Sequence, residues 1–553
     1  MILTLSGSRS RWIVDVLLVC ALIWLVGLEY RGLFMPDEGR YADIAREMLD
    51  SGDWVTPRLN GLKYFEKPPL QYWATAATFA VFGADEWTAR LWPAVTGLLC
   101  IAFTAFAARR LLPGSSPGVT ALVLAGSWGF FLGSQFLTLD MGVTFFLTAA
   151  MLGYALSRRA DIPPRVQRNW MLLAWAAAAC AVLSKGLIGA VIPGLALAAY
   201  VAVERDLTAL RRLHWIPGLA LFAAIAVPWF VLVQQRNPEF FRFFFIYEHF
   251  ERYLLPDHHR PGPWWYFVPV ALVGLWPWTP ALPAAIAKAW KAPAVAGFKL
   301  DRFLAIWAAV VIVFFSASRS KLPGYILPAV PAILLLFSRH YPGLSERVRR
   351  SPALACAGSG LLVALLAGAL LVFWQRLPWK AVEVEYSIWL LAAAFALSAG
   401  GVAALELFRR TLPERALAAA ALGSLAAIQL ALSGTHVVDE HYSSERLIEQ
   451  ITGDTLRFPR DPPFYSVGSY DQSVPFYLGR SVTLVAYKDE LAPGIAAEPH
   501  KYIGTVDEFL GLWHQDREAF AIMKPHLYEK LSSEGLPGRI LARDARWIIV
   551  ARR

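Results

Sequence analysis

The chain has 553 residues, 57% of them hydrophobic and only 17% charged, whereas a soluble domain carries about a quarter charged residues. That deficit excludes an ordinary water-soluble globule and sets most of the chain against lipid or other apolar helices. The formal net charge of +10 does not signal nucleic acid, because the basic residues stand in short runs between apolar segments and form no separate patch.

Arg109-Arg110, Arg158-Arg159, Arg211-Arg212, Arg347 with Arg349-Arg350, and Arg409-Arg410 are such runs. They follow the positive-inside pattern of cytoplasmic loops. The four cysteines, Cys20, Cys100, Cys180 and Cys356, all fall inside apolar segments, and no pair has metal-site spacing.

The first apolar run, Trp12 to Val26, follows Arg9 and Arg11 and precedes Glu29-Tyr30-Arg31. No small-residue cleavage site follows it, so it reads as a retained span with a cytoplasmic N-terminus. Further apolar stretches of the length a bilayer demands lie near 88–108, 117–136, 141–157, 170–184, 187–203, 214–234, 266–287, 303–318, 323–338, 352–374, 386–408 and 415–434. The pattern predicts about thirteen transmembrane helices. An odd count gathers the arginine runs on one side. The other side receives long loops near 33–87 and 235–265, the turn at Asp140, Ser316–Leu322 and the tail.

The sequence therefore divides into a transmembrane domain over 1–434 and a water-soluble domain over 435–553. In the tail, Phe464–Val467, Val482–Tyr487 and Trp547–Val550 read as strands. Asp471–Leu478, Val506–His514 and His526–Leu531 have helical spacing, so the tail is expected to be a small α/β domain.

The first loop reads Met35-Pro36-Asp37-Glu38-Gly39-Arg40-Tyr41. Asp37 can open a helix as its N-cap, with Ile44, Ala45, Met48 and Leu49 forming an apolar face suited to lying on a membrane. Arg40 and Tyr41 share a face with Asp37. A capped interfacial helix and an active-site helix both fit that spacing. Further on, Lys67 precedes Pro68 and is biased towards extended backbone. Its ammonium suits a phosphate at the membrane surface, and equally a lipid headgroup anchor. Glu66 beside it fits a ligand, a salt-bridge partner or a solvated group.

Asp140 sits in a turn between two spans, where a carboxylate is costly unless solvated or used. Lys185 interrupts an apolar helix pair and fits either a functional cation or a snorkelling side chain. The second loop holds Glu248, His249 and Arg252, then Asp257-His258-His259. His249 and Glu248 beside Asp257-His258-His259 are candidate ligands for a divalent metal, with Glu66 a further one, but the spacing matches no established metal signature. Arg252 suits an anionic headgroup. Lys321 and Tyr325 fall at an outer helix junction. Arg40, Lys67, Lys185, Arg252, Arg319 and Lys321 thus gather on the non-cytoplasmic face, against the charge rule for mere topology, and imply an anionic, phosphate-bearing amphiphile.

Five stretches then point further. They are Asp37-Glu-x-Arg-Tyr-Ala-x-Ile-x-Arg-Glu-Met-Leu, Gly61-Leu-x-Tyr-Phe-Glu-Lys-Pro, Ser184-Lys-Gly, Glu248-His-x-x-Arg and Lys321-Leu-Pro-x-Tyr-Ile-Leu. In this order they resemble the 4-amino-4-deoxy-L-arabinose lipid A transferases, relatives of the protein O-mannosyltransferases in the GT-C superfamily. The resemblance covers roughly residues 12–340. It implies a polytopic GT-C fold in the bacterial inner membrane, a C-terminal periplasmic α/β domain and an active site facing the periplasm. It implies an undecaprenyl phosphate-linked sugar donor, a lipid A phosphate acceptor, and resistance to polymyxin and cationic peptides. Carried over by motif, Lys67, Arg40 and Tyr41 bind the donor phosphate, with Asp37 the leading catalytic carboxylate and Asp140 the second. Met141 follows Asp140 where relatives often carry proline. Glu66, Lys185, Arg252, Lys321 and Tyr325 are further substrate-binding candidates. No glycine-rich phosphate loop is visible, so no nucleotide cofactor is expected. Transfer of another lipid-linked sugar to a different lipid or protein is the alternative, and a lipid-linked sugar flippase a more distant one.

Overall fold

A computed structural model of the chain describes residues 8–112, 116–251, 262–292, 298–373, 381–453 and 462–552. Contacts divide it into two compact units, one formed by Met1–Leu28 and Pro93–Gly434, the other by Glu29–Trp92 and Thr435–Arg553. By contacts, the first long loop therefore groups with the tail.

In the first unit, backbone groups in a bilayer must bond internally, which favours long uninterrupted helices. Among the described residues eight helices are long and apolar enough to cross a membrane, or ten if each of two bent pairs forms one span. The chain is a multi-span membrane protein. The remaining three of the expected spans are shorter helices. Trp12–Val26 and Ile188–Glu204 are apolar but fall below 18 residues. The segment expected at 323–338 begins as a 3₁₀ stretch, Pro323–Ala329, and only Val330–His340 is α-helical. Pro323, Pro328 and Pro331 each remove a backbone donor there. The resulting 11 α-helical residues reach only ~16 Å.

The two bent pairs are Pro117–Ala125 with Trp128–Gln135 (66°) and Phe267–Gly274 with Thr279–Trp290 (111°). Their breaks satisfy one another. The Trp128 amide donates to the Trp276 carbonyl at 3.2 Å, and Trp278 Nε1 donates to the Val123 carbonyl at 2.8 Å. Irregular backbone at membrane depth is tolerated where protein buries it in this way. The last three long helices, Glu346–Phe373, Ala381–Arg409 and Pro413–Ser433, pack as consecutive neighbours. Gly400 and Gly423 permit the close crossing, since a Cβ on either would come 2.6 Å from the other's Cα.

The second unit carries a two-stranded ribbon, β1 (Arg58–Leu59) and β2 (Leu62–Lys63), and a six-stranded sheet. The sheet comprises β3 (Phe464–Val467), β4 (Thr483–Val485), β5 (Tyr502–Ile503), β6 (Phe520–Met523), β7 (Arg539–Arg543) and β8 (Ile548–Ala551). Its order is β5-β4-β3-β6-β8-β7; the first four strands run parallel, and β8 and β7 pair antiparallel. β3, β6 and β8 are buried throughout, as expected of central strands covered on both faces. The tail is thus an α/β domain with the expected strands at 464, 483 and 548. β5, β6 and β7 lie between them.

The helices Val506–Gln515 and Pro525–Ser533 cover one face through Phe509, Trp513 and Leu531, packed on Tyr465, Val467, Met523 and Val550. The first of these helices opens with a capping box of Thr505 and Glu508. Trp513 is fully buried and donates from Nε1 to the Pro537 carbonyl at 2.8 Å. Trp513→Ala should therefore cost about 3–5 kcal/mol. Urea-dependent proteolysis of the tail in the purified full-length protein should detect this as cleavage at lower denaturant; an unchanged midpoint would show that the cluster does not stabilise the domain.

Candidate active site

The first-loop helix runs from Asp37 to Ser51 and ends at Gly52, whose φ of 70° supplies the left-handed cap. Its start differs from expectation. Pro36 occupies the cap position and Asp37 is the first helical residue, with no side-chain cap bond. The work of closing the first turn falls to Glu38, which accepts from the Phe34 amide at 3.0 Å. The same buried carboxylate receives Arg31 Nη1 at 2.9 Å, Arg90 Nε at 2.7 Å and Arg90 Nη2 at 2.9 Å. Arg90 also donates to the carbonyls of Arg31 (2.7 Å) and Gly32 (2.8 Å).

The apolar face of this helix is covered by protein rather than by a membrane. Ile44 and Ala45 are fully buried and Met48 nearly so, because the helix packs on Leu70–Phe82, on Val474–Leu478 and on β1. Gly39 lies hard against the tail, where a Cβ would meet the Ser473 amide at 2.6 Å. Asp43 accepts from the Asn60 amide at 3.0 Å and Glu47 from the Gly61 amide at 2.6 Å. Burial pushes the Glu47 carboxyl up to about 8. Asn60 in turn exchanges two hydrogen bonds with the backbone of Val482.

This scaffold presents a compact polar cluster. Arg40 pairs through Nη1 with Asp37 at 2.8 Å and through Nη2 with Glu490. Gln472 donates to the other Glu490 oxygen at 2.6 Å. Asp37 is about one-third exposed while Arg40 is nearly buried, so the carboxylate is the accessible member. The Arg40 guanidinium lies 5.9 Å from the Tyr41 ring, and Tyr41 lies 6.0 Å from Tyr72. The hydroxyls of Tyr64 and Tyr470 are buried with no hydrogen-bond partner among the described residues. Burial pushes the Tyr64 phenol well up, against the pull of Arg40, and pushes the Glu490 carboxyl up as well. Glu66 acts electrostatically on Tyr41, Tyr64 and Glu490. Lys67 Nζ donates to the Glu66 carbonyl at 2.9 Å and stays 4.0 Å from its carboxylate.

The first unit holds a separate cluster. Asp140 is the first residue of helix Asp140–Ser157 and forms an ion pair with Lys185, the last residue of helix Pro164–Lys185. Lys185 also stands 4.6 Å over the Tyr325 ring, so it is paired rather than snorkelling. A Cβ at Gly324 would overlap the Asp140 carboxylate. Lys321 is buried and donates to the Ser318 carbonyl. Arg252 lies outside the described residues, as does the side chain of His249. Among the described residues no group of three or more His, Cys, Asp or Glu could hold a metal ion.

Residues 12–244 match the family model for dolichyl-phosphate-mannose-protein mannosyltransferase, and residues 451–552 match the aminoarabinose transferase C-terminal domain. The undecaprenyl phosphate-alpha-4-amino-4-deoxy-L-arabinose arabinosyl transferase of Pseudomonas aeruginosa (strain UCBPP-PA14) is 34% identical over 512 residues, covering 89% of this chain and 88% of that one. The chain belongs to this family. Its counterpart in Pseudomonas paraeruginosa is 36% identical over 438 residues, 77% of this chain and 76% of the relative. The crystal structure of ArnT from Cupriavidus metallidurans bound to undecaprenyl phosphate superposes with a TM-score of 0.92 at 36% identity, covering 99% of each chain.

Within this family fold, Asp37, Arg40 and Tyr41 stand together as their spacing requires. Tyr64, Glu38, Arg90, Glu490 and Gln472 were not singled out by sequence. Tyr64 carried a signal, since it stands two residues before Glu66 in the Gly61–Pro68 motif. Glu490 carried none, because only the tertiary fold brings it to Arg40.

Two substitutions test the scaffold. Glu38→Gln leaves two buried guanidinium groups short of a countercharge and should cost about 3–5 kcal/mol, measured as a lower thermal midpoint of the purified protein. Gly39→Ala must displace Gln472–Ser473 backbone and should reduce turnover severalfold while the membrane helices stay folded. Wild-type behaviour of either variant would remove that contact from the scaffold.

Proposed function

We propose that this protein moves 4-amino-4-deoxy-L-arabinose from undecaprenyl phosphate to a phosphate of lipid A, on the periplasmic side of a bacterial inner membrane. The observation that carries this reading is a buried arginine, Arg40, shared between two carboxylates, in a fold that matches ArnT bound to undecaprenyl phosphate along nearly its whole length.

The chemistry follows from the substrates. The bond from the sugar's anomeric carbon to the donor phosphate oxygen breaks, and its electron pair leaves with the polyprenyl phosphate. A lipid A phosphate oxygen then forms the new bond to that carbon. The acceptor is already anionic at neutral pH, so it needs no general base of the kind a hydroxyl requires. Arg40 and Lys67 stabilise charge growing on the leaving phosphate. Asp37, one-third exposed beside Arg40, faces positive charge developing on the sugar ring. The carboxylates Asp37 and Glu490 suit the sugar's ammonium group, and the unpartnered hydroxyls of Tyr64 and Tyr470 offer hydrogen bonds to its oxygens. By motif, Asp140, paired with Lys185, is the second candidate carboxylate, and Tyr325 and Lys321 are further candidate contacts for lipid phosphate. The transfer as drawn needs no free nucleotide.

Expression in a Gram-negative strain deleted for its own transferase, followed by mass spectrometry of lipid A, tests the assignment. An aminoarabinose adduct on lipid A and restored polymyxin resistance are expected. Absence of the adduct, with the protein present in membranes, would overturn the acceptor or the sugar. Lys67→Ala and Asp37→Asn should each abolish the adduct with normal protein levels; near-normal turnover in either would remove that residue from the mechanism.

A further inference from the structure

A cavity of about 470 Å³ lies among helix ends in the first unit, lined by Ser116, Lys288, Arg339, His340, Arg349 and Glu414. None of these residues belongs to the clusters described above. Arg339 pairs with Asp301 at 2.8 Å, and His340 Nε2 lies 3.0 Å from the other oxygen of that carboxylate. Lys288 donates one of its three N–H bonds to the Gly343 carbonyl at 2.7 Å. Arg349 Nε is buried with no hydrogen-bond partner among the described residues. The lining thus holds three cations, Lys288, Arg339 and Arg349, and one carboxylate, Glu414; counting Asp301, which pairs with Arg339, one positive charge is left over.

The backbone adds to that surplus. Helices Pro117–Ala125, Glu346–Phe373 and Pro413–Ser433 all start at the cavity wall. The first and third have no side-chain cap. Their free amides and positive dipole ends favour an anion. The Arg347, Arg349-Arg350 run lies in the first turns of the second helix, so the cavity sits on the arginine-rich side of the membrane helices.

We propose that this cavity binds the phosphodiester headgroup of an anionic phospholipid. A phosphodiester carries the single negative charge that matches the surplus. The position at the ends of membrane helices, beside an arginine run, is where basic pockets meet anionic headgroups. The volume is also far larger than an inorganic phosphate needs, leaving room for the polar part of a lipid. Arg349 and Lys288 contact the phosphate, while the Asp301 carboxylate orients Arg339 and His340.

The test uses the full-length protein in nanodiscs of phosphatidylcholine alone or with added phosphatidylglycerol, and in detergent with inorganic phosphate. Phosphatidylglycerol should raise the thermal midpoint, and native mass spectrometry should retain it on the protein. The double variant Lys288→Gln/Arg349→Gln should weaken retention roughly tenfold or more, because charge-assisted hydrogen bonds of this class are lost. Glu414→Gln removes a competing carboxylate and should strengthen retention, which keeps the proposal testable if the double variant folds poorly. Equal stabilisation by phosphatidylcholine, equal stabilisation by inorganic phosphate alone, or retention unchanged in the variants would each overturn it.

Discussion

The buried network of Arg31, Glu38 and Arg90 is the constraint on which the candidate site depends. Each member is almost inaccessible to water, where an unpaired charge would be costly. The network resolves this by sharing one carboxylate between two guanidinium groups and turning the spare donors of Arg90 onto two backbone carbonyls. The segment before the helix is then pinned from both sides, with the Gly32 amide on Asp439 at 2.9 Å and the Leu33 amide on the Tyr477 hydroxyl at 2.7 Å. Asp37 and Arg40 follow directly. Their geometry is inherited from a fixed helix start, which is what the role proposed for Asp37 requires.

The tail contributes through topology. Its parallel strands order as β5-β4-β3-β6, so the chain leaves β3 in one direction and later returns on its other side. In open α/β sheets the crevice beyond the carboxyl ends of strands at such a switch is the usual ligand position. The loop that follows β3 begins at Gly468 and carries Tyr470, Asp471, Gln472 and Ser473. Asp471 is buried and accepts from Ser444, Ser473, Arg546 and Trp547, which holds the loop rigid. Gln472 and Ser473 then meet Gly39 and steady Glu490. The tail covers the helix and, on the proposed reading, supplies part of the binding surface as well.

Legibility in the sequence followed the range of the interaction. Long apolar helices announce themselves by composition, and the helices at Glu86–Leu111 and Asp140–Ser157 lie where hydropathy puts them. Breaks within apolar runs do not, because Ser127 or Pro277 leaves mean hydropathy unchanged while ending a helix. Strands β3 and β8 are short apolar runs and were visible. β6 was hidden because Phe520–Met523 is an equally short run that also suits a helix turn, and β7 because its exposed face carries arginines. In the site, Asp37, Arg40 and Tyr41 were readable because they share one helical turn. The apolar face of that helix was legible as a face but not as to its cover, since a membrane and a protein surface select the same residues.

The charge arrangement around Arg40 has a consequence for binding. A guanidinium compensated by Asp37 and Glu490 offers a phosphate little net Coulomb gain, because an incoming anion must compete with carboxylates already in place. A donor carrying only a phosphate would meet that competition unaided. On the proposed reading, a donor carrying both a phosphate and an ammonium exchanges partners instead, phosphate to Arg40 and ammonium to the carboxylates, so no buried charge is left alone. Such a site discriminates by the cost of unpaired charge rather than by the strength of any one contact, and that cost is the larger quantity in a low-dielectric interior. On the proposed reading, the same carboxylates that neutralise Arg40 in the free protein reject a neutral sugar and accept an aminated one.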